Sequence, residues 1–287
     1  MNVTLLGTGL MGTPMGERIL LAGHRLTVYN RTAAKMKVLK DKGAYAVLHA
    51  KEACQSSEVI ILMLADARAI EDVLWEKENI NFKGRTLIQM GTILPSESIE
   101  LQKKFYTAGG EYLECPVLGS KKEAMEGKLT LMAGATPEKF NKWKDFLCVF
   151  GPDPRLIGEV GKAAALKLAL NQLIASHAVA FATSLGLVLK NQIDVKVFVD
   201  ILRTSSLFAP MFDKKLPLWL NGDYSNPNFP VKHLLKDVML MLQEAKDKNL
   251  SLLVLEAISR ILQKTVDEGL GEQDYSSLFK IICKDKS

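Results

Sequence analysis

The sequence predicts an α/β fold: a doubly wound, mostly parallel sheet followed by an all-α C-terminal domain, with a long helix joining the two. Two observations lead to this prediction. Up to about residue 150, short aliphatic runs alternate with helical patterns, as in parallel sheets that are covered by helices. Beyond a Gly- and Pro-rich segment at 151–161, only helical patterns remain. We therefore expect two domains, residues 1–160 and 161–287.

Six short runs of aliphatic and β-branched residues are expected to form the strands of the first domain. They lie at 2–7, 25–30, 58–64, 85–90, 111–117 and 128–134. The intervening segments are predicted as helices at 11–22, 32–42, 66–75 and 95–107, with a further helix that starts near Pro137.

The second domain is predicted from helical patterns at 162–190, 195–204, 231–248, 251–268 and 275–283, with a long loop at 221–230. The first of these contains an almost continuous apolar run at 173–189. Seventeen residues lie at the short limit for spanning a bilayer. We therefore favour a helix buried on all sides within a globular protein, and we expect no membrane association.

The composition is typical of a soluble globular protein, with 48% hydrophobic residues, 24% charged residues and a net charge of +5. It shows no basic stripe with interleaved aromatic residues, which argues against nucleic acid as a partner. The four cysteines form no CxxC pair and the four histidines show no metal-ligand spacing. We expect reduced thiols, no metal and, because no signal-peptide pattern is present, a cytoplasmic location.

A glycine-rich loop marks the expected nucleotide site. Gly7, Gly9 and Gly12 follow the first strand directly and precede the first helix, in the GxGxxG pattern of a Rossmann fold. Glycine at these positions allows a tight turn and lets the backbone approach a pyrophosphate at the helix N-terminus. Leu10 and Met11 lie within the same loop and are expected to line the cofactor. The alternative is a strand–helix turn with no ligand.

The end of the second strand bears on the choice of cofactor. NAD sites usually place an acid there to hold the ribose 2′-hydroxyl, but this chain has Asn30, Arg31 and Thr32. An acid would repel a 2′-phosphate, whereas a guanidinium and short polar donors attract it. These residues predict a preference for NADP. The alternative is that Arg31 is a solvated loop residue and the protein does not discriminate.

Six ordered motifs resemble those of the β-hydroxyacid dehydrogenase family. They are GLMGTPMG, IILMLAD, IQMGTILPSES, ECPVLGSKKEAMEGKLTLMAGA, VGKAAALKLALN and FPVKHLLKDV. Within that family the chain is most similar to the glyoxylate/succinic semialdehyde reductases. The resemblance runs nearly end to end and implies hydride transfer between a nicotinamide and a small aldehyde or hydroxy acid, with relatives that are dimers or tetramers. We therefore expect a homo-oligomer.

Lys167 matches the family's catalytic lysine, and Asn171 matches the residue that accompanies it. Independently of the family, a spacing of four residues places both side chains on one face of a helix. An ammonium there could stabilise the negative charge that develops on a carbonyl oxygen and donate the proton. For a lone lysine, the alternative is a side chain that extends to solvent near a helix N-terminus.

The resemblance also implies further site residues. Leu64 and Ala65 match the loop along the cofactor, and Thr92 matches a residue near both nicotinamide and substrate, although a Thr at the end of a strand can also cap a helix. Gly119 and Ser120 match a segment whose backbone amides hold the substrate carboxylate. Phe229, Lys236 and Asp237 match residues of the second domain: Phe against the substrate, Lys toward the cofactor and Asp beside it.

Leu118 departs from the family pattern. The family commonly reads PVSG, with a Ser hydroxyl toward the substrate carboxylate, but this chain reads PVLG. The missing hydrogen bond is worth about 0.5–1.5 kcal/mol, and about twice that for a charged partner. Glyoxylate should be affected most, whereas succinic semialdehyde, with its longer apolar chain, could gain from the leucine.

Two other functions remain open at this point. A 3-hydroxyisobutyrate-type dehydrogenase would run toward oxidation, but NAD-linked members resemble an acid-containing pattern where this chain has YNRT. A non-catalytic dinucleotide-binding module is the second alternative. Relatives of that kind have lost the lysine, whereas Lys167 is retained here.

Overall fold

The computed structural model describes residues 1–76 and 80–283. The chain divides into two compact units, Met1–Lys167 and Leu168–Ser287, here called the N-terminal and C-terminal units. The division falls within a long helix that starts at Lys162, rather than in the Gly- and Pro-rich segment before it. Each unit is described by itself.

The N-terminal unit contains a nine-stranded sheet. Its strands are β1 (Asn2–Leu6), β2 (Arg25–Tyr29), β3 (Tyr45–Ala46), β4 (Val59–Leu62), β5 (Thr86–Gln89), β6 (Glu111–Glu114), β7 (Val117–Leu118), β8 (Thr130–Gly134) and β9 (Arg155–Gly158). The order is β3-β2-β1-β4-β5-β6-β8-β7, and β9 pairs with β8. All pairings from β3 to β6 are parallel, and β8 joins β6 in the antiparallel sense. The predicted mostly parallel Rossmann sheet is confirmed.

Helices connect the strands of this sheet. They are α1 (Gly12–Leu21), α2 (Lys37–Asp41), α3 (Ala50–Gln55), α4 (Ala67–Glu71), α5 (Pro95–Thr107), α6 (Lys121–Glu126) and α7 (Pro137–Leu147). A 3-10 turn at Ala33–Met36 precedes α2, and a π-helical turn at Asp72–Glu76 continues α4. Because helices cover both faces, the central strands are apolar on both sides. Leu5 and Ile61 face one core cluster, and Leu6 and Ile60 face the other.

The C-terminal unit is helical, as predicted. Helix α8 (Lys162–Lys190) enters it from the N-terminal unit and is followed by α9 (Val195–Arg203), α10 (Pro210–Asn221), α11 (Val231–Asp247), α12 (Leu253–Thr265) and α13 (Phe279–Ile282). A π-helical turn at Val266–Leu270 continues α12, and a 3-10 turn at Tyr275–Leu278 leads into α13.

Helix α8 supplies much of the core of the C-terminal unit. Phe181 stacks on Phe212 of α10 with 4.4 Å between ring centroids, and Trp219 lies 5.0 Å away. By length and composition alone, α8 could cross a membrane: its most apolar 18-residue window has a mean hydropathy of 1.6 and is 39% buried. The aromatic packing around Phe181 is the kind of environment that a core helix has.

Several short elements were missed by the sequence-based prediction. The predicted strand 111–117 is divided near Pro116, which has no N–H to donate to a neighbouring strand. Val117 and Leu118 therefore form a separate strand, β7, which pairs with β8. Strand β9 lies in the Gly- and Pro-rich segment, for which only a domain boundary is predicted. Helix α10 is not predicted because it contains Pro217, and a proline inside a helical pattern usually ends a helix. Strand β3 and helices α3 and α6 are two to six residues long and give little periodic signal.

Candidate active site

The glycine loop between β1 and α1 is closely packed on one side and open on the other. A Cβ on Gly7 would collide with the carbonyl of Met63, and one on Gly12 would collide with the carbonyl of Gly7. Gly7 also has φ +102°, which disfavours any other residue. A Cβ on Gly9, in contrast, would meet nothing within 4 Å. The loop therefore has the shape that a pyrophosphate needs, with open space beside the half-buried Gly9.

The start of α1 provides donors for an anion. Its N-cap residue, Met11, makes no side-chain capping hydrogen bond, and no acidic residue lies in its first turn. Leu10 is exposed and Met11 half-buried beside it. The hydroxyl of Thr8 is buried with no hydrogen-bond partner among the described residues. Uncapped N–H groups together with an unsatisfied hydroxyl fit a dinucleotide phosphate here.

Asn30, predicted to bind the cofactor, has a structural task in the loop. Its side-chain carbonyl accepts from the Thr8 N–H at 3.1 Å, and its amide donates to the Thr32 carbonyl at 3.1 Å. These bonds join the glycine loop to the end of β2. Arg31 and Thr32, which follow, are exposed at the same strand end. The groups best placed to meet a 2′-phosphate are therefore those of Arg31 and Thr32.

The loops after β4 and β5 approach each other closely. A Cβ on Gly91 would lie 2.8 Å from the Leu64 carbonyl, so glycine is needed for this approach. Leu64 is half-buried, and Ala65 is exposed. Thr92, which follows Gly91, does not cap α5: the helix begins at Pro95, and Glu97 accepts from the Leu94 N–H at 2.7 Å. The N-cap residue of α5 is thus Leu94, and the role of Thr92 near nicotinamide and substrate stays a prediction.

The segment Leu118–Ser120 bends at Gly119, where a positive φ favours glycine. Gly119 has φ +137° and is exposed. The Ser120 N–H donates to Glu123 Oε2 at 2.8 Å, and the Ser120 hydroxyl donates to the same oxygen. Glu123 accepts from the Ser120 N–H in this structure, and the contact of that amide with a substrate carboxylate stays a prediction. Leu118, half-buried, directs no hydroxyl into the turn.

Lys167 lies in the second turn of α8 and is 8% exposed. A lysine is rarely buried to that degree unless its ammonium has a partner. Asn171, one turn further along the same helix, is 1% exposed. The four-residue spacing puts both side chains on one face of α8, as predicted.

Asp237 of α11 connects Asn171 to Lys236. Asn171 Nδ2 donates to Asp237 Oδ2 at 2.7 Å, and Lys236 Nζ lies 2.7 Å from Asp237 Oδ1. The second contact is an ion pair without hydrogen-bond geometry, since Asp237 Oδ1 has no directed donor among the described residues. The side-chain carbonyl of Asn171 is also buried with no described donor. Because the side-chain N–H of Asn171 donates to Asp237, the side-chain oxygen of Asn171 is left to accept a hydrogen bond from another group.

Phe229 is held by a network that the sequence did not reveal. Its carbonyl accepts from the Tyr275 N–H at 2.9 Å, and its ring contacts Tyr275 edge-on at 6.0 Å. Asp274, fully buried, accepts from Lys215 Nζ at 2.6 and 2.8 Å and from the Asn228 N–H at 3.0 Å. Burial lowers the pKa of Lys215, and the Asp274 carboxylate opposes this effect.

No cluster of three or more His, Cys, Asp or Glu side chains that could hold a metal occurs in residues 1–76 and 80–283. The four cysteines form no disulfide with one another.

The sheet order and the open glycine loop define a dinucleotide-binding protein of the Rossmann class. A family model described as the NAD binding domain of 6-phosphogluconate dehydrogenase matches residues 2–161. A second, described as the NAD-binding of NADP-dependent 3-hydroxyisobutyrate dehydrogenase, matches residues 161–282. The chain belongs to the β-hydroxyacid dehydrogenase family and is an NAD(P)-dependent oxidoreductase of that family.

Individual relatives agree with this family. The chain is 31% identical to glyoxylate/succinic semialdehyde reductase 1 of Arabidopsis thaliana, covering 98% of both proteins. It is 30% identical to the chloroplastic reductase 2 of the same plant, covering 100% of this chain and 80% of that protein. A solved 3-hydroxyisobutyrate dehydrogenase from Salmonella typhimurium superposes with a TM-score of 0.88 at 22% identity, over 98% of this chain and 99% of that one, which shows the shared fold.

Proposed function

We propose that the protein uses NADPH to reduce small aldehyde acids, converting succinic semialdehyde to 4-hydroxybutyrate and glyoxylate to glycolate. The observation that carries the proposal is the buried pair Lys167 and Asn171 on one face of α8 in a chain with an open dinucleotide loop. The names of the two Arabidopsis relatives support the substrate class.

The chemistry assigns one task to each residue. When bound, the reduced nicotinamide supplies a hydride to the aldehyde carbon. Lys167 Nζ donates a proton to the carbonyl oxygen, so that aldehyde, hydride and proton together give the alcohol. Asn171 offers its side-chain carbonyl, held in place by Asp237, to a donor on the substrate or on Lys167. Phe229 would lie against the carbon chain of the substrate.

Arg31 and Thr32 support NADPH over NADH. Both are exposed at the end of β2, where an NAD site would carry an acid. Lys236, close to Asp237, would add positive charge toward the cofactor. The half-buried Leu118 favours the longer semialdehyde over glyoxylate, because glyoxylate has almost no apolar surface to contact it.

The test is a panel of aldehydes with NADPH and NADH side by side, followed by the loss of reduced-cofactor absorbance. We expect turnover of succinic semialdehyde with NADPH and weaker turnover of glyoxylate. Oxidation of 3-hydroxyisobutyrate with no aldehyde reduction would favour the dehydrogenase alternative. Tight NADPH binding with no turnover of any aldehyde would favour the non-catalytic module.

We further propose a cytoplasmic homo-oligomer. Support for self-association comes from apolar side chains exposed on the C-terminal unit, including Leu187 of α8 and Val197 and Ile201 of α9, which are all at least half exposed. Sedimentation equilibrium gives the mass, and a monomer at micromolar concentration would contradict the proposal. The cysteines, which form no disulfide, suit a reducing compartment.

A further inference from the structure

We propose that Glu114 is a positioning residue for Lys167, because its carboxylate caps the first turn of the helix that carries this lysine. The inference rests on the proposed catalytic role of Lys167. Glu114 ends β6 and is 1% exposed. It begins the motif ECPVLGS, in which only Leu118, Gly119 and Ser120 were predicted to be site residues.

Two hydrogen bonds to the Glu114 carboxylate come from the start of α8. Its Oε2 accepts from the Gly161 N–H at 2.9 Å, and its Oε1 accepts from the Ala164 N–H at 2.8 Å. A helix leaves its first N–H groups without partners in the helix. One of them, on Lys162, donates to the Glu159 carbonyl at 3.1 Å. The carboxylate of Glu114 accepts from the N–H groups of Gly161 and Ala164, which lie on either side of Lys162 in sequence.

The surroundings of Glu114 leave its carboxylate little freedom. A Cβ on Gly134, its partner across the antiparallel pair with β8, would lie 2.5 Å from Glu114 Oε1. Burial raises the pKa of Glu114, while hydrogen bonds from Ser98 and from the backbone of Ala163 and Ala164 oppose that rise. Burying a carboxylate costs solvation free energy, and here the hydrogen bonds from Ser98 and from the N–H groups at the start of α8 offset that cost, which holds those N–H groups in place.

The consequence for Lys167 follows from helix geometry. Lys167 comes three residues after Ala164, so its Cα lies on the turn directly above the capped one. Any shift or fraying of the first turn is therefore passed to the lysine ammonium. Misplacing a catalytic group by about 1 Å can cost about 10²-fold in rate. Glu114 thus links a strand of the sheet to the position of the proton donor.

The test uses Glu114→Gln, which keeps the shape but replaces one acceptor oxygen by a donor, and Gly134→Ala, which displaces the carboxylate while keeping its charge. We expect kcat to fall by about 10–10²-fold in both variants, with KM for the aldehyde and Kd for NADPH within about 3-fold of wild type. Amide hydrogen exchange should rise at residues 161–166 and stay unchanged in α1.

Two variants control for general effects. Thr136→Ala removes the cap of α7, which carries no proposed site residue, and Glu111→Gln makes the same chemical change on the same strand at a surface pair with Lys142. Both should keep kcat within about 2-fold of wild type.

Each outcome decides the point. Faster exchange at 161–166 with unchanged kcat would overturn the inference, and so would an equal loss of NADPH affinity with faster exchange across the whole N-terminal unit. If Glu114→Gln fails to fold, Gly134→Ala is judged by the same criteria; failure of both to fold would show that Glu114 serves the fold and not the lysine. A wild-type protein without aldehyde reduction refutes the proposed function instead, and the exchange pattern then still tests the cap.

Discussion

Asn171 shows how a single side chain in this site is oriented by its neighbour. An amide can present either its oxygen or its nitrogen, and the Asp237 carboxylate, a pure acceptor, selects the nitrogen. The Asn171 oxygen then remains buried with no described donor, which costs about 1–3 kcal/mol. A site that keeps such an acceptor is prepared for a donor from outside the chain, such as the hydroxyl of the proposed product.

Replacing Lys167 tests the proposed proton donor. Lys167→Ala should lower kcat by about 10²–10⁴-fold, because the carbonyl oxygen loses its general acid. Kd for NADPH, measured by fluorescence, should stay within about 2-fold of the wild-type value, since binding of the cofactor does not require the proton transfer. Lys162→Ala is the matched control: it removes an exposed lysine from the first turn of the same helix. Parallel losses of turnover and cofactor binding in Lys167→Ala would indicate a structural lysine.

Leu118 tests the proposed substrate preference. Leu118→Ser should raise kcat/KM for glyoxylate relative to succinic semialdehyde by about 5–100-fold, because a hydroxyl can donate to the small polar acid. Leu118→Ala separates this hydroxyl from the loss of volume and should leave glyoxylate unimproved. If the serine and alanine variants show the same ratio of the two substrates, the account of Leu118 is wrong.

Residues defined by local pattern could be predicted, whereas those defined by distant partners could not. The glycine loop and the Lys167–Asn171 face each follow from spacing within a few residues. Glu114 and Asp274 are set by partners that are 47 to 59 residues away in sequence. The same holds for Asn30, whose hydrogen bond from the Thr8 N–H stabilises the glycine loop, while its contact with the cofactor stays a prediction.

Among the elements, well-marked ends made prediction accurate. Helix α5 has the predicted bounds because Pro95 occupies its first position and Glu97 caps it, and the long apolar run gave α8 its predicted bounds. Helix α10 was not predicted because it contains Pro217, and proline usually marks the end of a helix. Sequence pattern thus predicts an element best where both the apolar period and the end signals agree.

The ion pair between α10 and Asp274 is expected to dominate the stability of the loop that carries Phe229. Asp274→Asn leaves Lys215 buried without a counter-charge and should lower the free energy of unfolding by about 3–5 kcal/mol in urea. Asp213→Asn is the matched control, since it breaks the exposed pair between Asp213 and Arg203 at 3.0 Å and should cost about 0–1 kcal/mol. Equal costs for the two variants would show that burial of the Lys215 pair contributes nothing.

For the molecule as a whole, the change of hydrophobic pattern along the chain was enough to predict an α/β unit followed by a helical one. Parallel strands covered on both faces read as continuous apolar runs, and the last run that predicted a strand, 128–134, contains β8. The unit division at 167/168 could not be predicted, because the helix crosses it without any break in composition. A boundary within a continuous helix leaves no turn residue to mark it.

Protonation of His233 in α11 should contribute to the pH dependence of the free energy of unfolding. Burial lowers its pKa from 6.5, and the nearby ammonium groups of Lys232 and Lys236 lower it further, while Asp237 and Glu272 oppose them. The folded state thus favours neutral His233, and the unfolded chain binds the proton more readily. Below about pH 6.5 the unfolded state gains protons that the folded state does not, so the free energy of unfolding falls as pH falls.

His233→Gln removes this linkage. The stability difference between wild type and His233→Gln, measured by thermal unfolding, should therefore shrink between pH 7.5 and pH 5 as the wild type loses its advantage. His24, whose pKa is lowered by burial and by the N-terminal ammonium, has the same sign and remains in both proteins as a shared background. Curves that stay parallel over this range would mean that His233 titrates alike in the folded and unfolded states.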